Sequence, residues 1–347
     1  MIQDKSGWGD RKGQQSSTRK NQTSLEIVDK EIEKSVGITV LELADMLLLE
    51  SVNGLGPQKF KTIYSTGLTA SDIINNPSSL PIAGKTGDKI RSELKSVLST
   101  DINIFRSRAN KQVLAAFHNQ AKVITYWHQS YPKHLYSSNY PVPILYVRGS
   151  LDVLNTFKGV ACVGSRNIRS PYTQRHTEFA ELAVSQDFTI VSGFALGADT
   201  LGHEAAYKNN GKTICVMPGG IDRPFPPENK ALWQSLLGYP YAAMVTESPF
   251  GTAASALTLR KRNKLIAAFA IGVIVSQTAS DGGAMNAFRF AIEQHKPIAT
   301  FQEDGTTETS GNKIISQEKK IPVTVFPENL TLKEDWGKWL LALSSLI

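Results

Sequence analysis

Three glycine-rich segments follow short apolar runs of the sequence and carry groups that could bind an anion. The segments are Gly164-Ser165-Arg166, Ser192-Gly193 and Pro218-Gly219-Gly220. Backbone N–H groups in such loops, and at the helix starts that follow them, are suited to a phosphate group. Parallel strands end at a common edge of a sheet, which is where open α/β sheets bind ligands. We therefore expect these loops to form the functional edge of the molecule.

Basic residues accompany these loops. Arg166 lies in the first loop, where a guanidinium group can pair with a phosphate in a fork geometry. The densest basic run, Arg260-Lys261-Arg262-Asn263-Lys264, falls at the start of a predicted helix. Lys212 directly precedes the third apolar run. For each cation the alternative interpretation is an ordinary solvated surface charge.

Other site chemistries find little support. Neither Ser165 nor Ser192 has the spacing of a nucleophile elbow, and His203 beside Asp199 is better interpreted as a helix residue that fixes a loop. The six histidines show no metal-ligand spacing. Both Gly-Lys-Thr sequences lack the earlier glycine of a nucleotide-binding P-loop. We predict no catalytic residue, metal or cofactor.

The elements that position the loops follow from apolar runs that alternate with helical periods. Such runs indicate parallel strands covered on both faces. The predicted strands cover residues 123–126, 144–147, 160–163, 188–191, 213–217, 242–245, 272–275 and 297–301. A further strand at 321–326 and a helix at 336–346 are expected near the C-terminus. The order predicts an α/β fold, an extended Rossmann-like, doubly wound and mostly parallel sheet.

The region before the sheet has helical patterning over residues 25–98. Residues 51–61 combine two glycines with basic residues between two helices, as in the helix-hairpin-helix or SAM-like elements that approach a phosphate backbone. A plain interhelical turn with glycine caps is the alternative. The predicted division is a disordered basic tail (1–35), a small all-α domain (36–105), a Rossmann-like domain (106–302) and a C-terminal extension (303–347).

The composition indicates a protein with a sizeable core and a weak preference for polyanions. Of its 347 residues 41% are hydrophobic, and the formal charge is +7. Cys162 and Cys215 lie inside predicted strands, so we expect buried small hydrophobic side chains rather than redox or metal chemistry. With neither a secretory signal nor an apolar run of membrane-spanning length, we expect a cytoplasmic protein without a membrane partner.

Several ordered blocks of the sequence resemble the DNA-processing protein A (DprA/Smf) family over roughly residues 112–301. They include the Gly164-Ser165-Arg166 block and the block from Ser192 to His203, SGFALGADTLGH. The remaining matching blocks are residues 131–149, 220–229, 247–251 and 262–267. Departures from the family pattern, such as Leu196 and Ala198, indicate a divergent member.

This resemblance implies a homodimer that binds single-stranded DNA and delivers it to the RecA recombinase during natural transformation, without enzymatic activity. It also implies that Lys212 joins the same basic pocket. Stacking aromatic side chains are expected in such a site, and the loop candidates are Tyr172, Phe225 and Phe250. The predicted DNA-binding residues are Gly164, Ser165, Arg166, Ser192, Gly193, Lys212, Arg260, Lys261, Arg262, Asn263 and Lys264.

A nucleotide-sensing protein, or a phosphoribohydrolase of the Lonely Guy type, is the alternative function, with phage defence as its setting. The segments Pro218-Gly219-Gly220 and 281–285 are similar to phosphoribohydrolase motifs, but they occur in the reverse order. Glu247, just past a predicted strand, is the first acid to test under this alternative. A structural hydrogen bond to the neighbouring loop is the other interpretation of Glu247.

Overall fold

The computed structural model describes residues 28–138, 140–327 and 332–347, which form a helical N-terminal region followed by a large sheet covered by helices. The helices are α1 (Lys30–Val36), α2 (Val40–Ser51), α3 (Pro57–Ser65), α4 (Ala70–Asn75), α5 (Gly84–Leu98), α6 (Asn103–His118), α7 (Lys133–Ser137), α8 (Leu151–Leu154), α9 (Tyr172–Ser185), α10 (Ala198–Lys208), α11 (Lys230–Leu237), α12 (Ala256–Phe269), α13 (Ala284–Glu293), α14 (Ser310–Ser316) and α15 (Leu332–Ser344). The strands are β1 (Ala121–Thr125), β2 (Ile144–Gly149), β3 (Gly159–Val163), β4 (Thr189–Ser192), β5 (Thr213–Val216), β6 (Ala242–Thr246), β7 (Gly272–Val275), β8 (Ile298–Phe301) and β9 (Val323–Phe326).

The helical region begins with α1, inside the segment that was also assigned to the disordered tail. Asp29 caps α1, because its carboxylate accepts a hydrogen bond from the N–H of Ile32, and Val36 at the other end is fully buried. The prediction of a disordered tail up to residue 35 is therefore wrong for residues 30–35, while residues 1–27 lie outside the described residues.

The glycine turn between α2 and α3 has the expected helix–turn–helix form. Gly54 adopts a left-handed φ of +87°, and Gly56 with Pro57 begins α3. The Lys59 ammonium donates a hydrogen bond of 2.6 Å to the carbonyl of Gly54. One of the basic side chains of this turn therefore stabilises the turn itself, and contact with DNA at this hairpin stays a prediction.

The nine described strands form one sheet in the order β1-β2-β6-β5-β4-β3-β7-β8-β9. The pairs β1–β2 and β2–β6 are antiparallel, whereas all other pairs are parallel. The doubly wound, mostly parallel sheet is thus confirmed. The chain moves outward in opposite directions from β3, through β4 to β6 on one side and through β7 to β9 on the other. Such a reversal opens a crevice at the carboxyl ends of β3 and β7.

Two apolar cores cover the two faces of the sheet. Side chains of a strand alternate between faces, and β3 shows this directly. Ala161 and Val163 belong to one core, shared with the N-terminal helices, α12 and α13. Val160 and Cys162 belong to the other, built with α9, α10 and α15. Cys162 and Cys215 are buried free thiols, as expected.

The C-terminal segment is integrated into the sheet layer. β9 pairs in parallel with β8, and α15 packs on α9. The predicted boundary between residues 105 and 106 falls inside α6. The division into domains stays a prediction. No helix among the described residues has the length and apolar character needed to cross a bilayer.

Trp336 on α15 provides a test of this integration. Its side chain is 2% exposed and packs edge-to-face on three phenylalanine rings. We expect Trp336→Ala to lower the free energy of unfolding by about 3–5 kcal/mol, because it removes a large buried side chain. Leu341→Ala on the same helix is the matched control, since Leu341 is 68% exposed and its loss should cost less than about 0.5 kcal/mol. Equal urea-unfolding curves for the two variants would contradict the packing role of α15.

Candidate functional site at the carboxyl edge of the sheet

An open cavity of about 440 Å³ lies at the crevice between β3 and β7. Its walls come from the loop after β3, the loop after β7 and the first turns of α12. Three arginines and one aspartate are its charged lining residues, namely Arg166, Arg260, Arg262 and Asp199. The cavity therefore has an excess of positive charge at the edge where a parallel sheet binds anions.

The loop after β3 is held by backbone hydrogen bonds, and this fixes the position of Arg166. The N–H of Ser165 donates to the carbonyl of Gln277 at 2.7 Å, and the Ser165 carbonyl accepts from the N–H of Ala198 at 3.1 Å. Gly197 permits this approach, because its φ is +73° and an added Cβ would lie 2.4 Å from the Ser165 carbonyl oxygen. The N–H of Ser165 is thus engaged within the protein, while the Arg166 side chain is exposed.

A buried ion pair lies beneath the cavity. Arg262 Nη1 is 3.6 Å from Asp199 Oδ2, and the two residues are 6% and 5% exposed. The same guanidinium donates to the carbonyl of Val216 at the end of β5, at 3.4 Å. The Asp199 carboxylate accepts hydrogen bonds of 3.2 Å from the N–H groups of Gly193 and Ala195. The pair therefore ties α10 and α12 to the carboxyl ends of the central strands.

The loop after β4 is shaped by this pair. A Cβ at residue 193 would lie 1.2 Å from Arg262 Nη1, so only glycine leaves room for the guanidinium. Because the N–H of Gly193 donates to Asp199, the loop binds an internal carboxylate. Gly193 and Ser192, whose hydroxyl donates to the Cys162 carbonyl, are both buried. These two predicted contact residues support the site from below.

Burial and pairing act in opposite directions on the titration of the pair. Burial raises the pKa of Asp199 above its usual value, while Arg262 and the backbone donors act to lower it. Burial likewise lowers the pKa of Arg262, and the carboxylate of Asp199 opposes that shift. Within the described structure the Nε of Arg262 has no hydrogen-bond partner. Each charge therefore depends on the other to remain in the interior.

The basic run on α12 divides between the surface and the interior. Arg260 and Lys261 are exposed, whereas Arg262 and Asn263 are buried. Lys264 is half-buried, and its ammonium lies 4.8 Å and 5.1 Å from the centres of the Tyr140 and Phe290 rings. The helical period explains this division, because residues 262 and 263 share the face that packs on the sheet. The solvent-exposed cations of the run are therefore Arg260 and Lys261, with Lys264 between protein rings, while Arg262 and Asn263 reach the cavity from the buried face. Contact of the run with DNA stays a prediction.

Lys212 is not part of this cavity. It directly precedes β5, at the amino end of the sheet, whereas the glycine loops follow the carboxyl ends. Its ammonium pairs with the Asp187 carboxylate at 2.9 Å, and Asp187 lies just before β4 at the same edge. The structure thus corrects the expectation that Lys212 and Arg166 share one pocket: they lie at opposite edges of the sheet.

The three aromatic candidates also separate. Tyr172 is fully buried and donates to the carbonyl of Gln302, and Phe250 packs against Tyr146. Phe225 is 38% exposed and lines a second cavity, of about 380 Å³, that shares Arg166 with the first. Glu228 also lines this second cavity. Phe225 is therefore the accessible aromatic ring of the three.

Two polar residues that the sequence did not single out organise the loop after β7. The Gln277 side chain accepts a hydrogen bond from the N–H of Arg169 at 2.9 Å. The Asn312 carboxamide, from α14, accepts from the N–H of Thr278 and donates to the carbonyls of Ser276 and Phe301. Lone Gln and Asn residues in polar segments carry no signal of such long-range contacts in the sequence.

Two buried histidines pack between the sheet and its helices near the ion pair. His203 Nδ1 lies 2.7 Å from the hydroxyl of Thr213, and His176 Nδ1 contacts the hydroxyl of Ser276. Burial lowers the pKa of His203 to about 3, aided by the charge of Arg262, and that of His176 to about 4. His203 is thus a neutral interior residue on α10. No group of three or more potential metal-ligating His, Cys, Asp or Glu side chains occurs in the described residues.

The ion pair generates a stability prediction. We expect Arg262→Ala to lower the free energy of unfolding by about 3–5 kcal/mol, because the Asp199 carboxylate is left buried without its partner. Arg260→Ala, an exposed arginine on the same helix, should change it by less than about 0.5 kcal/mol. The double variant Arg262→Met/Asp199→Asn should have a higher free energy of unfolding than Arg262→Ala, because neither charge is left unpaired. Chemical denaturation measures all three, and equal effects for the two single variants would rule out a structural ion pair.

His203 generates a prediction of pH dependence. Its pKa is about 3 in the folded chain and near 6.5 when unfolded. The folded state is therefore fully favoured above pH 6.5 and loses stability as the pH falls from 6.5 towards 3, by about 1.4 kcal/mol per pH unit. His203→Asn should flatten the fall in melting temperature between pH 6.5 and 4.5. The control is His295→Asn, at an exposed residue with a φ of +53° that asparagine tolerates. An unchanged profile in His203→Asn would sink this assignment.

Known proteins share both the sequence and the architecture described above. A family model described as DNA recombination-mediator protein A matches residues 122–328. Protein Smf of Escherichia coli is 34% identical over 168 residues, which are 48% of this chain and 44% of that protein. DNA processing protein DprA of Bacillus subtilis is 28% identical over 214 residues, 61% of this chain and 70% of that protein. The match to Protein Smf of Synechocystis is 29% identical and spans 48% of this chain and 42% of the relative, so the chain covers under half of some relatives.

Two solved structures share the fold. DprA of Streptococcus pneumoniae aligns with a TM-score of 0.60 and 20% identity over 83% of this chain and 95% of that one. DNA processing protein A of Helicobacter pylori, described with its single-stranded DNA binding mode, aligns with a TM-score of 0.56 and 22% identity over 65% and 98%. The family model covers more than half of the chain, including all the described strands from β2 to β9. The chain therefore belongs to the DNA recombination-mediator protein A family, the DprA/Smf proteins.

Proposed function

We propose that this protein binds single-stranded DNA along the carboxyl edge of its sheet. The observation that carries the proposal is the pair of exposed arginines, Arg166 and Arg260, which line one open cavity from two sides. Neither side chain has a hydrogen bond or ion pair within the described residues. Unpaired guanidinium groups at a glycine-rich sheet edge are suited to phosphate oxygens. Membership of a recombination-mediator family supports DNA as the polyanion.

The arrangement favours a flexible strand over a rigid duplex. The two cavities share Arg166. Phe225 lines the second cavity, so its exposed ring lies beside the arginine-lined first cavity. Single-strand binders combine a basic path for the backbone with aromatic rings on which bases stack. Lys261, the next exposed cation on α12, extends the basic path beyond Arg260. Contacts to phosphate alone confer affinity without sequence specificity.

We further propose that the bound strand is passed to the RecA recombinase, and that the protein acts as a homodimer without catalysis. The support is the family, whose members are described as recombination mediators. Two copies would place two such paths side by side and raise the overall affinity for a long strand. Sedimentation with and without DNA tests the dimer, and RecA-dependent strand exchange on single-strand-binding-protein-coated DNA tests the loading. A monomer at all concentrations would contradict the proposed homodimer. An unchanged rate of strand exchange would contradict the proposed delivery of DNA to RecA.

The DNA contact yields a direct prediction. For the double variant Arg166→Ala/Arg260→Ala we expect affinity for a labelled single-stranded oligonucleotide to fall by about tenfold per lost arginine. The slope of log affinity against log salt should become shallower by about 0.7 per lost phosphate contact. Fluorescence anisotropy across a salt series, with a matched duplex alongside, measures both.

The matched control is Lys212→Ala, which removes a cation from the opposite edge of the sheet. Its affinity and salt slope should equal those of the unaltered protein. If Lys212→Ala weakens binding as much as the arginine pair, the path does not follow the glycine loops. If a folded double variant keeps full affinity, Arg166 and Arg260 do not contact DNA.

A further inference from the structure

A third cavity, of about 480 Å³, lies where the helical region meets the sheet. The turn before α3 and the end of α2 form one wall, and β2 with its preceding loop forms another. The loop after β6 and the first turns of α12 complete it. The cavity therefore combines groups from both parts of the chain, and α12 connects it to the arginine-lined cavity.

Buried polar atoms without partners line this cavity. The Tyr146 side chain is 1% exposed, and its hydroxyl has no hydrogen-bond partner within the described structure. One carboxylate oxygen of Glu247 is likewise buried and unpartnered there. A buried polar group that lacks a partner is costly, and such groups in native proteins require an explanation. A ligand that supplies hydrogen bonds to Tyr146 and Glu247 provides one.

Two carboxylates supply hydrogen-bond acceptors in this cavity. Glu50, which is exposed, and Glu247 both line the cavity. Burial raises the pKa of Glu247, and the nearby Lys261 and Lys264 oppose that shift. A ligand with N–H donors would stabilise these carboxylates in their charged form.

The remaining walls are apolar and partly aromatic. Phe60, Tyr140 and prolines 57, 143 and 249 surround the acidic groups. Apolar walls with a few converging polar groups are typical of sites for a planar organic ring. Pockets that hold an unstacked nucleobase are built in this way: flat side chains cover the ring, and hydrogen bonds identify its Watson–Crick edge.

On the basis of the proposed single-stranded DNA binding, we infer that this cavity holds one unpaired nucleobase of the bound strand. Arg260 lines the first cavity and its neighbour Lys261 lines this one, so a strand crossing the start of α12 reaches both. The Glu247 carboxylate selects a base with two adjacent N–H donors, which are the N1–H and 2-amino group of guanine. Thymine lacks an exocyclic amino group, and hypoxanthine differs from guanine only in that group.

The experiment compares three oligonucleotides of equal length: alternating dT/dG, alternating dT/dI and all dT. The unaltered protein should bind the dG oligonucleotide roughly fivefold or more tightly than the dI and dT oligonucleotides. Glu247→Gln keeps the side-chain volume but removes one acceptor, so it should abolish the preference for dG over dI. The lost negative charge should otherwise change the affinity for all three oligonucleotides by the same factor. Tyr146→Phe should reduce the preference in the same direction. Glu181→Gln, the same change at an exposed residue of α9, should keep the full preference.

The outcomes separate this inference from the function on which it depends. Equal affinities for the three oligonucleotides, with tight and salt-dependent dT binding, would overturn the base pocket and leave the proposed DNA binding intact. No binding to any of the oligonucleotides would overturn both the base pocket and the proposed DNA binding. A dG preference that persists in Glu247→Gln and Tyr146→Phe would place the selecting group elsewhere. An arginine-bearing peptide that binds in a Glu247-dependent manner, alongside equal oligonucleotide affinities, would assign the cavity to a protein partner instead.

Discussion

The carboxyl edge of the sheet depends on the buried ion pair between Arg262 and Asp199. Removing either charge would leave the other almost fully buried without its partner, which is far more costly than losing a surface pair. The pair also requires Gly193, since any side chain there would occupy the position of the guanidinium. One interaction therefore fixes α10, α12 and the loop after β4 relative to one another. The exposed arginines of the proposed site are carried on this fixed frame.

The same interaction explains the division of labour along α12. A run of five polar residues cannot face solvent throughout on a helix that packs against a sheet, because the helical period turns some of them inward. The inward arginine is retained by its buried partner, and the inward Asn263 lies beside it in the cavity wall. The outward residues Arg260 and Lys261 are then held at a constant spacing near the crevice. A continuous basic run in the sequence is thus divided into exposed cations, Arg260 and Lys261, and a buried structural one, Arg262.

The sequence predicted the sheet well because its central strands are short, continuous apolar runs whose type does not depend on distant contacts. It placed Arg166 correctly at the carboxyl edge for the same reason. Lys212 was misplaced although the needed signal was local: it precedes its strand, and only residues that follow a parallel strand reach that edge. The Arg262–Asp199 pair and the hydrogen bonds by which Asn312 holds the loop after β7 were not predictable in this way. They join residues far apart in sequence, and their partners are partly backbone groups that no motif records.

Helix α12 lies between two cavities and contributes residues to both. Contacts with phosphate position a strand, whereas contacts with bases confer sequence preference, and the two tasks need different chemistry. The arginine-lined cavity offers donors with an excess of positive charge, and the cavity beside the helical region offers carboxylate acceptors between apolar walls. Because α12 borders both, neither wall can shift without the other, and the buried ion pair holds that helix in place. Under the inferred base binding, the helical region contributes to recognition through the turn before α3, because Gly56 and Pro57 line the cavity. Lys59 stabilises this turn through its hydrogen bond to the Gly54 carbonyl.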